Sequence, residues 1–176
     1  SGSMAAFIPN QRREIFKDER VREALNYAFD FEELNATVFY EQYDRIDSFF
    51  YGLPFASSGL PEGKELEVLE SVRDLVPASV FTEPYTNPVS GDPSKLRNNL
   101  RTALNLLNEA GYTLDGNRLV DANGTQLAFE ILMHQASLEP IAQNLITNLR
   151  QIGVDVSMRM VDTPQYINRI RSFDYD

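Results

Sequence analysis

Residues 17–32 read KDERVREALNYAFDFE, a stretch that predicts two consecutive helix starts. Asp18 can cap the first helix, and Asp30 can cap the second, with Glu33 bonding back from its third helical position. Between the two caps, five apolar residues recur at helical spacing: Val21, Ala24, Leu25, Ala28 and Phe29. Because such a stripe occupies one face of a helix, we expect an amphipathic helix packed against a core.

The composition bounds the possible classes of function. A chain of 176 residues with 43% hydrophobic content can bury a core as one domain, or as one lobe of a larger protein. The formal net charge is −10 and no basic run is present, which argues against nucleic acid as a partner. Zero cysteines exclude disulfides and cysteine-ligated zinc, and no apolar run reaches the ~18 residues of a membrane-spanning helix. We predict neither a cofactor nor a metal site.

The ends of the chain lead us to expect an excised domain. Ser1-Gly2-Ser3-Met4 resembles what remains after a tag is removed, so residues 1–4 are set aside from fold reasoning. Residues 172–176 begin what reads as a strand. We expect residues 5–176 to form a single α/β lobe with a long, loop-rich excursion at residues 40–91, where prolines interrupt the pattern.

The N-terminal part is expected to contain a short strand, a connector and the two capped helices. Phe7–Asn10 is apolar enough for a strand, and Gln11–Phe16 reads as a polar connector to the first helix. The second helix runs from Phe31 to about residue 39. Its predicted inward face consists of Leu34, Val38 and Phe39.

Within the excursion, residues 49–55 are rich in aromatic side chains. A helix between residues 63 and 77 is predicted from its apolar spacing, and the aromatic side chains precede it. We favour a small satellite core under the loop for Phe49, Phe50, Tyr51 and Phe55. The alternative is a contact patch for a protein partner.

After Gly91 the pattern becomes regular. Asp92 and Pro93 start a helix that Gly111 ends, and two turn dipeptides around residues 118–120 predict a small hairpin. Residues 127–133 are apolar on both faces of a strand, which is typical of a central position in a sheet.

The last third of the chain predicts alternating strands and helices. A helix from about Leu138 to Gly153 leads to a strand at residues 154–160, and Thr163-Pro164 starts a final helix. Strand, helix and strand over residues 127–160 form a βαβ unit, which implies a parallel, right-handed crossover. The fold class is therefore α/β, with a mixed sheet and a parallel βαβ unit near the C-terminus.

A search for catalytic patterns finds little. His134 is the one histidine, and no nucleophile or metal-ligand motif can be assembled around it. It follows the apolar strand and precedes a helix, a place where ligands bind in open α/β sheets and where free backbone amides favour anions. His134, Gln135, Ser137 and Glu139 are candidate ligand contacts. The equally weighted alternative is that Ser137 only caps the helix and His134 is a solvated loop residue.

Three segments, in the same order as in the family, resemble the extracellular solute-binding proteins of family 5, the oligopeptide-, dipeptide- and nickel-binding components of ABC importers. Residues 16–30 are similar to the signature D-x-R-V-R-x-A, residues 106–112 to L-x-E-A-G-Y, and residues 148–156 to the crossover l-x-x-i-G-i-x-v. Residues 48–61 look most like the subgroup associated with microcin C and oligopeptides. The resemblance covers most of residues 7–176.

The resemblance implies a two-lobed periplasmic binding protein that delivers peptides to an ABC permease without catalysis. This chain would be most of the second lobe. Such proteins close around a ligand by hinge motion between this lobe and the first lobe. By matching position, it adds Tyr166, Arg169 and Arg171 near the last helix to His134, Gln135 and Glu139 as residues facing the cleft. We expect the isolated fragment to bind peptide weakly or not at all. A small hydrolase dependent on His134 is a further alternative.

Overall fold

The computed structural model describes residues 4–176. Three of the four residues of the predicted tag remnant lie outside this range. The helices are α1 Glu14–Lys17, α2 Glu19–Ala28, α3 Phe31–Thr37, α4 Gly63–Ser71, α5 Pro93–Glu109, α6 Glu139–Gln151 and α7 Thr163–Arg171. The strands are β1 Thr113–Asp115, β2 Arg118–Val120, β3 Ala128–Met133 and β4 Asp155–Met160. Across residues 4–176, no helix is both long enough and apolar enough to cross a membrane.

The chain divides into two compact units. The first unit takes in the chain up to Gln42 together with Pro88–Asp176, and the second unit is Tyr43–Asn87. All four strands and six of the seven helices belong to the first unit, while α4 belongs to the second.

The core of the first unit forms where α2 packs against α5 and α6. Val21, Ala24 and Ala28 are buried, and Leu25 and Phe29 pack against them, which confirms the predicted apolar stripe. The expectation of a polar connector at Gln11–Phe16 is wrong. Its last three residues begin α1, and Phe16 is 1% exposed with its ring 5.2 Å from that of Phe129. One large side chain among polar neighbours carries no periodic signal, so the sequence pattern missed it.

Aspartate side chains cap four helices of the first unit. Asp18, Asp30, Asp92 and Asp162 accept backbone N–H groups at the starts of α2, α3, α5 and α7. The two caps predicted for α2 and α3 are confirmed. The predicted return bond from Glu33 is wrong, because the Asp30 amide donates to Asn144 Oδ1 on α6, at 3.0 Å.

The carboxylate of Asp30 also anchors the point where the chain returns from the second unit. Ser90 Oγ donates to Asp30 Oδ1 at 2.6 Å, and the Gly91 amide donates to the same oxygen at 3.1 Å. Asp30 and Ser90 are both buried. Burying a carboxylate is tolerated here because several donors satisfy it.

The βαβ unit is confirmed. β3 and β4 pair in parallel, with Phe129 opposite Val156 and Met133 opposite Met160, and α6 connects them. β1 and β2 form the predicted antiparallel hairpin as a separate two-stranded sheet, joined to the start of β3 by a bond from the Leu127 amide to the Leu119 carbonyl. The predicted central position of the strand at residues 127–133 is wrong within residues 4–176, since β3 has one neighbour, β4.

Two expected strands near the chain ends are also wrong. Phe7–Asn10 and residues 172–176 have no strand pairing. Instead, the Asn10 side chain donates to the carbonyls of Phe173 and Tyr175, and Phe173 adopts a left-handed backbone with φ of 56°. A buried side-chain amide thus makes the bonds that the backbone of a neighbouring strand would make.

On α3, Leu34 is buried as predicted but Val38 is exposed, because the helix ends at Thr37.

In the second unit, the predicted helix is present as α4, followed by 3₁₀ turns at Arg73–Leu75 and Ala78–Phe81. The predicted satellite core is wrong: Phe49 is 88% exposed and Phe55 79%, and Phe50 and Tyr51 are also exposed. Instead, the Ser48 hydroxyl accepts the Phe50 amide, and the rings of Phe50 and Phe55 contact each other edge-on at the surface, with centroids 6.3 Å apart.

Candidate ligand-binding site

The carboxyl end of β3 brings two aromatic side chains together. His134 directly follows β3, and Tyr166 lies in the first turn of α7. Their ring centroids are 4.2 Å apart with an interplanar angle of 43°, and both residues are half-buried. Because β3 and β4 are parallel, their carboxyl ends meet at one edge of the sheet, so α6 and α7 both start there. His134 is thus a partly exposed loop residue that contacts Tyr166, and whether it also contacts a ligand stays a prediction.

The residues between His134 and α6 lie at the surface. Gln135, Ser137 and Glu139 are exposed, and Ser137 belongs to a 3₁₀ turn over Ala136–Leu138. The predicted helix cap by Ser137 is wrong, because this turn moves the cap position to Leu138, which has no side chain able to accept a backbone amide. α6 therefore begins with backbone N–H groups that no side chain caps, at the positive end of its dipole.

The two arginines predicted at the site lie in the last turn of α7, whereas Tyr166 lies in its first turn. Arg169 Nε donates to the Asp174 carbonyl at 2.8 Å and approaches the Asp174 carboxylate at 3.4 Å, so it holds the turn after α7. Arg171 is exposed. The structure thus joins His134 to Tyr166, while Arg169 bonds to Asp174.

A cavity of about 290 Å³, which the sequence did not predict, opens beside Tyr166. Apolar side chains of the N-terminal segment, β3, α6 and α7 make up most of its lining: Phe7, Ile8, Phe129, Ile131, Leu145 and Ile170. Two carboxylates, of Glu130 and Asp176, also border it. Glu130 is paired with Arg159 at 2.6 Å. The sequence signal for this cavity is the apolar character of both faces of residues 127–133. The same signal also predicts a central strand.

The chemistry available at the carboxyl end of β3 is recognition by stacking and hydrogen bonding. An imidazole and a phenol in contact offer flat apolar faces with polar edges, which suit amide planes and aromatic groups of a ligand. Across residues 4–176, no group of three carboxylate or imidazole side chains is arranged to hold a metal ion. In the same range, every buried side-chain nitrogen or oxygen has a hydrogen-bond partner.

Comparison with known proteins assigns the chain to a family. The profile of the bacterial extracellular solute-binding proteins, family 5 Middle, matches residues 1–176. The chain belongs to this family. The resemblance drawn from its three sequence segments is therefore confirmed.

Curated relatives in the family match almost all of the chain. A protein of Sinorhizobium fredii described as uncharacterized is 56% identical over 174 residues, 98% of the chain and 26% of the relative. The probable peptide-binding protein YejA of Agrobacterium fabrum is 54% identical over 176 residues, 99% of the chain and 29% of the relative. The peptidoglycan-binding protein YepA of the same organism is 37% identical over 174 residues, 98% of the chain and 28% of the relative. The chain spans between a quarter and a third of the length of these relatives.

Solved structures share the fold. NikA from Brucella suis, in complex with Fe(III)-EDTA, matches 95% of the chain and 28% of its own length, with a TM-score of 0.63 and 24% identity. The oligopeptide-binding protein AppA from Bacillus subtilis, in complex with a nonapeptide, matches 92% of the chain and 27% of its own length, with a TM-score of 0.59 and 20% identity. The α/β architecture of the chain is thus one that these two binding proteins share.

Proposed function

We propose that this chain is part of the substrate-binding lobe of a periplasmic solute-binding protein that delivers peptides or peptide-like solutes to an ABC importer. The observation that carries the proposal is the 54% identity, over 99% of the chain, to a protein named as a probable peptide-binding protein. In this proposal residues 5–176 belong to one lobe, the ligand lies between it and a first lobe, and the closed protein docks on the permease. The chain itself carries out no catalysis.

His134 and Tyr166 form the centre of the proposed ligand contact. Their rings are in contact at an angle of 43°, and each offers a face of the kind on which a peptide plane or an aromatic side chain packs. Gln135, Ser137 and Glu139 extend this surface along the start of α6, where a carboxylate also offers a partner for an amine. Arg169 and Arg171 supply positive charge at the other end of α7, suited to an acidic group of the solute.

The proposal is tested with the full-length protein. Purified protein is denatured, and the released small molecules are identified by mass spectrometry; we expect peptides or peptide-containing fragments. The same peptides are then titrated into the wild type and into His134→Ala and Tyr166→Ala by calorimetry. Loss of one ring is expected to weaken binding about 5- to 30-fold, in line with about 1–2 kcal/mol for an aromatic contact.

Tyr85→Ala is the matched control, because this tyrosine is 62% exposed and belongs to the second unit. It is expected to bind peptide as the wild type does. Full-length protein that releases no peptide and binds none in titration contradicts the proposed function. Peptide binding that is unchanged in both ring variants contradicts the proposed site but leaves the function in place.

A protein-interaction role for residues 49–55 is the second candidate, favoured by the exposure of Phe49 and Phe55. It predicts self-association or capture of a partner that is lost in the double variant Phe49→Ser/Phe55→Ser. If the wild type sediments as a monomer from micromolar to millimolar concentrations, that result argues against self-association.

The hydrolase alternative requires turnover of esterase or peptidase substrates that the substitution His134→Ala abolishes. We expect no turnover.

A further inference from the structure

The turn between β2 and β3 contains the dipeptide Asn123-Gly124, and Asn123 is the one asparagine in the sequence that glycine follows. Both residues are exposed. The backbone nitrogen after an asparagine can attack the carbon of the asparagine side-chain amide, and a Cβ on the following residue hinders this attack. Glycine has no Cβ. Within residues 4–176, no atom beyond the adjoining residues lies within 4 Å of the place where a Cβ on Gly124 would stand, so the turn is open on this side.

The side-chain amide of Asn123 is free to rotate. Asn123 is bonded through its backbone amide, which donates to Asp121 Oδ1 at 2.9 Å, and in the described part of the chain its side chain has no hydrogen-bond partner. By contrast, the side-chain amides of Asn144 and Asn148 are held on the backbone between α2 and α3. The Asn123 carboxamide can therefore turn towards the nitrogen of Gly124.

Asp121 restrains the turn in which this reaction would occur. Its carboxylate accepts the amides of Asn123 and Thr125, at 2.9 Å and 3.0 Å, and its carbonyl accepts the Gly124 amide at 3.0 Å. The nitrogen that would attack is thus bonded, and it must lose its proton before it can react. Exposed turns with few buried contacts open more readily than the core does, so the reaction is expected to start from the opened turn.

We propose that Asn123 is a site of spontaneous deamidation, which starts from the opened turn and yields aspartate and isoaspartate. The Gly124 nitrogen forms a bond to Cγ of Asn123, and the bond between Cγ and Nδ2 breaks. The proton of the Gly124 nitrogen leaves with Nδ2 as ammonia, and a five-membered succinimide ring remains. Water then opens the ring: attack at Cγ gives aspartate, and attack at the backbone carbonyl carbon gives isoaspartate. Water is the one co-reactant, and nothing is oxidised or reduced.

Both products disturb the turn. Each places a second negative charge two residues from Asp121, and like charges at this distance repel. Isoaspartate also lengthens the backbone by one carbon, inside the loop that the bond from the Asp121 amide to the Thr125 carbonyl closes at 2.9 Å. This loop leads into Gln126, whose side chain donates to the Gly153 carbonyl. The affected contacts lie at the start of β3, at the opposite end from His134, so the proposal does not rest on the proposed ligand.

The test follows the 176-residue chain during prolonged incubation in mildly alkaline buffer. Trypsin cleaves after Arg118, so Asn117 and Asn123 fall on different peptides, and mass spectrometry detects the gain of about one dalton when an amide becomes an acid. Fragment ions assign the change to a residue and separate isoaspartate from aspartate. Asn123 is expected to convert at least about 10-fold faster than Asn117, an exposed asparagine of the same hairpin that arginine follows. Equal rates at the two asparagines overturn the proposal.

The variant Asp121→Ala tests the part that the turn plays. It removes the carboxylate that holds two amides of the turn, so conversion of Asn123 is expected to become about 3- to 10-fold faster, as for the loss of one restraining hydrogen bond. An unchanged or slower rate in Asp121→Ala overturns the role given to the opened turn.

The variant Asn123→Gln tests the effect on stability. Its longer side chain cannot form the five-membered ring, and the exposed position accommodates it. After the same incubation, the Tm of the wild type is expected to fall, whereas that of Asn123→Gln is expected to stay as it was. A wild-type Tm that remains constant when Asn123 has been fully converted overturns the proposed effect on the hairpin.

Discussion

Gly153 is the residue at which the hairpin and the parallel strands are joined. Its carbonyl accepts the Leu119 amide at 2.9 Å and the Gln126 side-chain amide at 2.9 Å. Its φ of +89° lies in the region that favours glycine, and a Cβ added there would lie 2.7 Å from the backbone nitrogen of Leu119. Backbone atoms cannot move away as a flexible side chain can, so both conformation and space require glycine here.

Gly153→Ala is therefore expected to lower the free energy of unfolding by about 2–4 kcal/mol, through backbone strain and the contact with Leu119 together. The control is Gly116→Ala, where φ is +64° but no atom lies within 4 Å of the added Cβ. That variant is expected to lose only the strain, about 1 kcal/mol. Urea unfolding of the three proteins checks this, and equal losses in the two variants would count against a role for the contact.

At the start of α2, Asp18 combines a cap with an ion pair. Its carboxylate accepts the Arg20 amide at 2.9 Å and the Arg20 guanidinium at 2.7 Å. The bond from the Arg20 side chain lowers the pKa of Asp18 below its usual value. Since the folded pKa lies below the unfolded one, the stability gained is present above the unfolded pKa of about 3.9 and is lost as the pH falls through the folded pKa.

Asp18→Asn is expected to keep the cap and the stability near pH 6 to within about 0.5 kcal/mol, because asparagine caps a helix as well as aspartate does. It is expected to lose less stability than the wild type between pH 6 and pH 3. The difference is small, because water screens this surface pair. Chemical unfolding at both pH values measures it. A pH dependence of the wild type retained in full by Asp18→Asn would disprove the assignment.

At the scale of elements, α6 is the helix that fixes the opening helices to the sheet. The buried Asn148 side chain donates to the Ala28 carbonyl at the end of α2, at 2.8 Å. One turn earlier, Asn144 donates to the Asp30 carbonyl and accepts the Asp30 amide. Two side-chain amides on one face of α6 thus satisfy the backbone between α2 and α3, where regular helix bonds stop.

Asn148→Ala is expected to cost about 1–3 kcal/mol, because it leaves the buried Ala28 carbonyl without its donor. Gln143→Ala serves as the control on the same helix. Gln143 is exposed and bonds only to Thr147, so its loss is expected to change stability by less than about 0.5 kcal/mol. Thermal unfolding by circular dichroism compares the two. Equal shifts in Tm would show that the bond to Ala28 contributes nothing beyond helix propensity.

At the scale of the whole molecule, the proposed cleft has only one wall in this chain. The half-buried His134–Tyr166 pair would contribute the contacts of that wall. In two-lobed binding proteins, hinge closure supplies contacts from both lobes and expels water from the ligand. A single wall therefore recovers only part of the binding energy, while the ligand loses much of its freedom.

The isolated 176-residue chain is consequently expected to bind the peptides released from the full-length protein at least about 100-fold more weakly than that protein does. Isothermal titration calorimetry with one purified peptide measures both dissociation constants. Micromolar binding by the isolated chain, equal to that of the full-length protein, would show that this lobe holds the complete site.

Much of the helical part of the fold could be predicted, because its signals are local. The caps at Asp18 and Asp92 and the stripe from Val21 to Ala28 involve residues within one or two helical turns of each other. The burial of Phe16 and the exposure of Phe49 could not be predicted in this way. Each depends on whether another part of the chain passes nearby, and neighbouring residues do not encode that.

The candidate site could likewise be predicted only in part from the sequence. The sequence placed His134 after a strand and Tyr166 in the first turn of a helix, and the family resemblance marked both as facing the cleft. Only the tertiary structure brought the two rings into contact, left Ser137 without a capping role and held Arg169 on Asp174.

By itself, the sequence determined the family, the helices with their caps and the parallel βαβ unit, because periodicity and capping are properties of short segments. The tertiary structure alone decided which partners the opening stretch has: its Asp30 end is bonded to Asn144 of α6 and to Ser90, where the chain returns from the second unit. It also decided that, within residues 4–176, β3 pairs with β4 alone. Hydrogen bonds between residues sixty or more positions apart depend on the path of the whole chain, so the final arrangement of that stretch is a tertiary property.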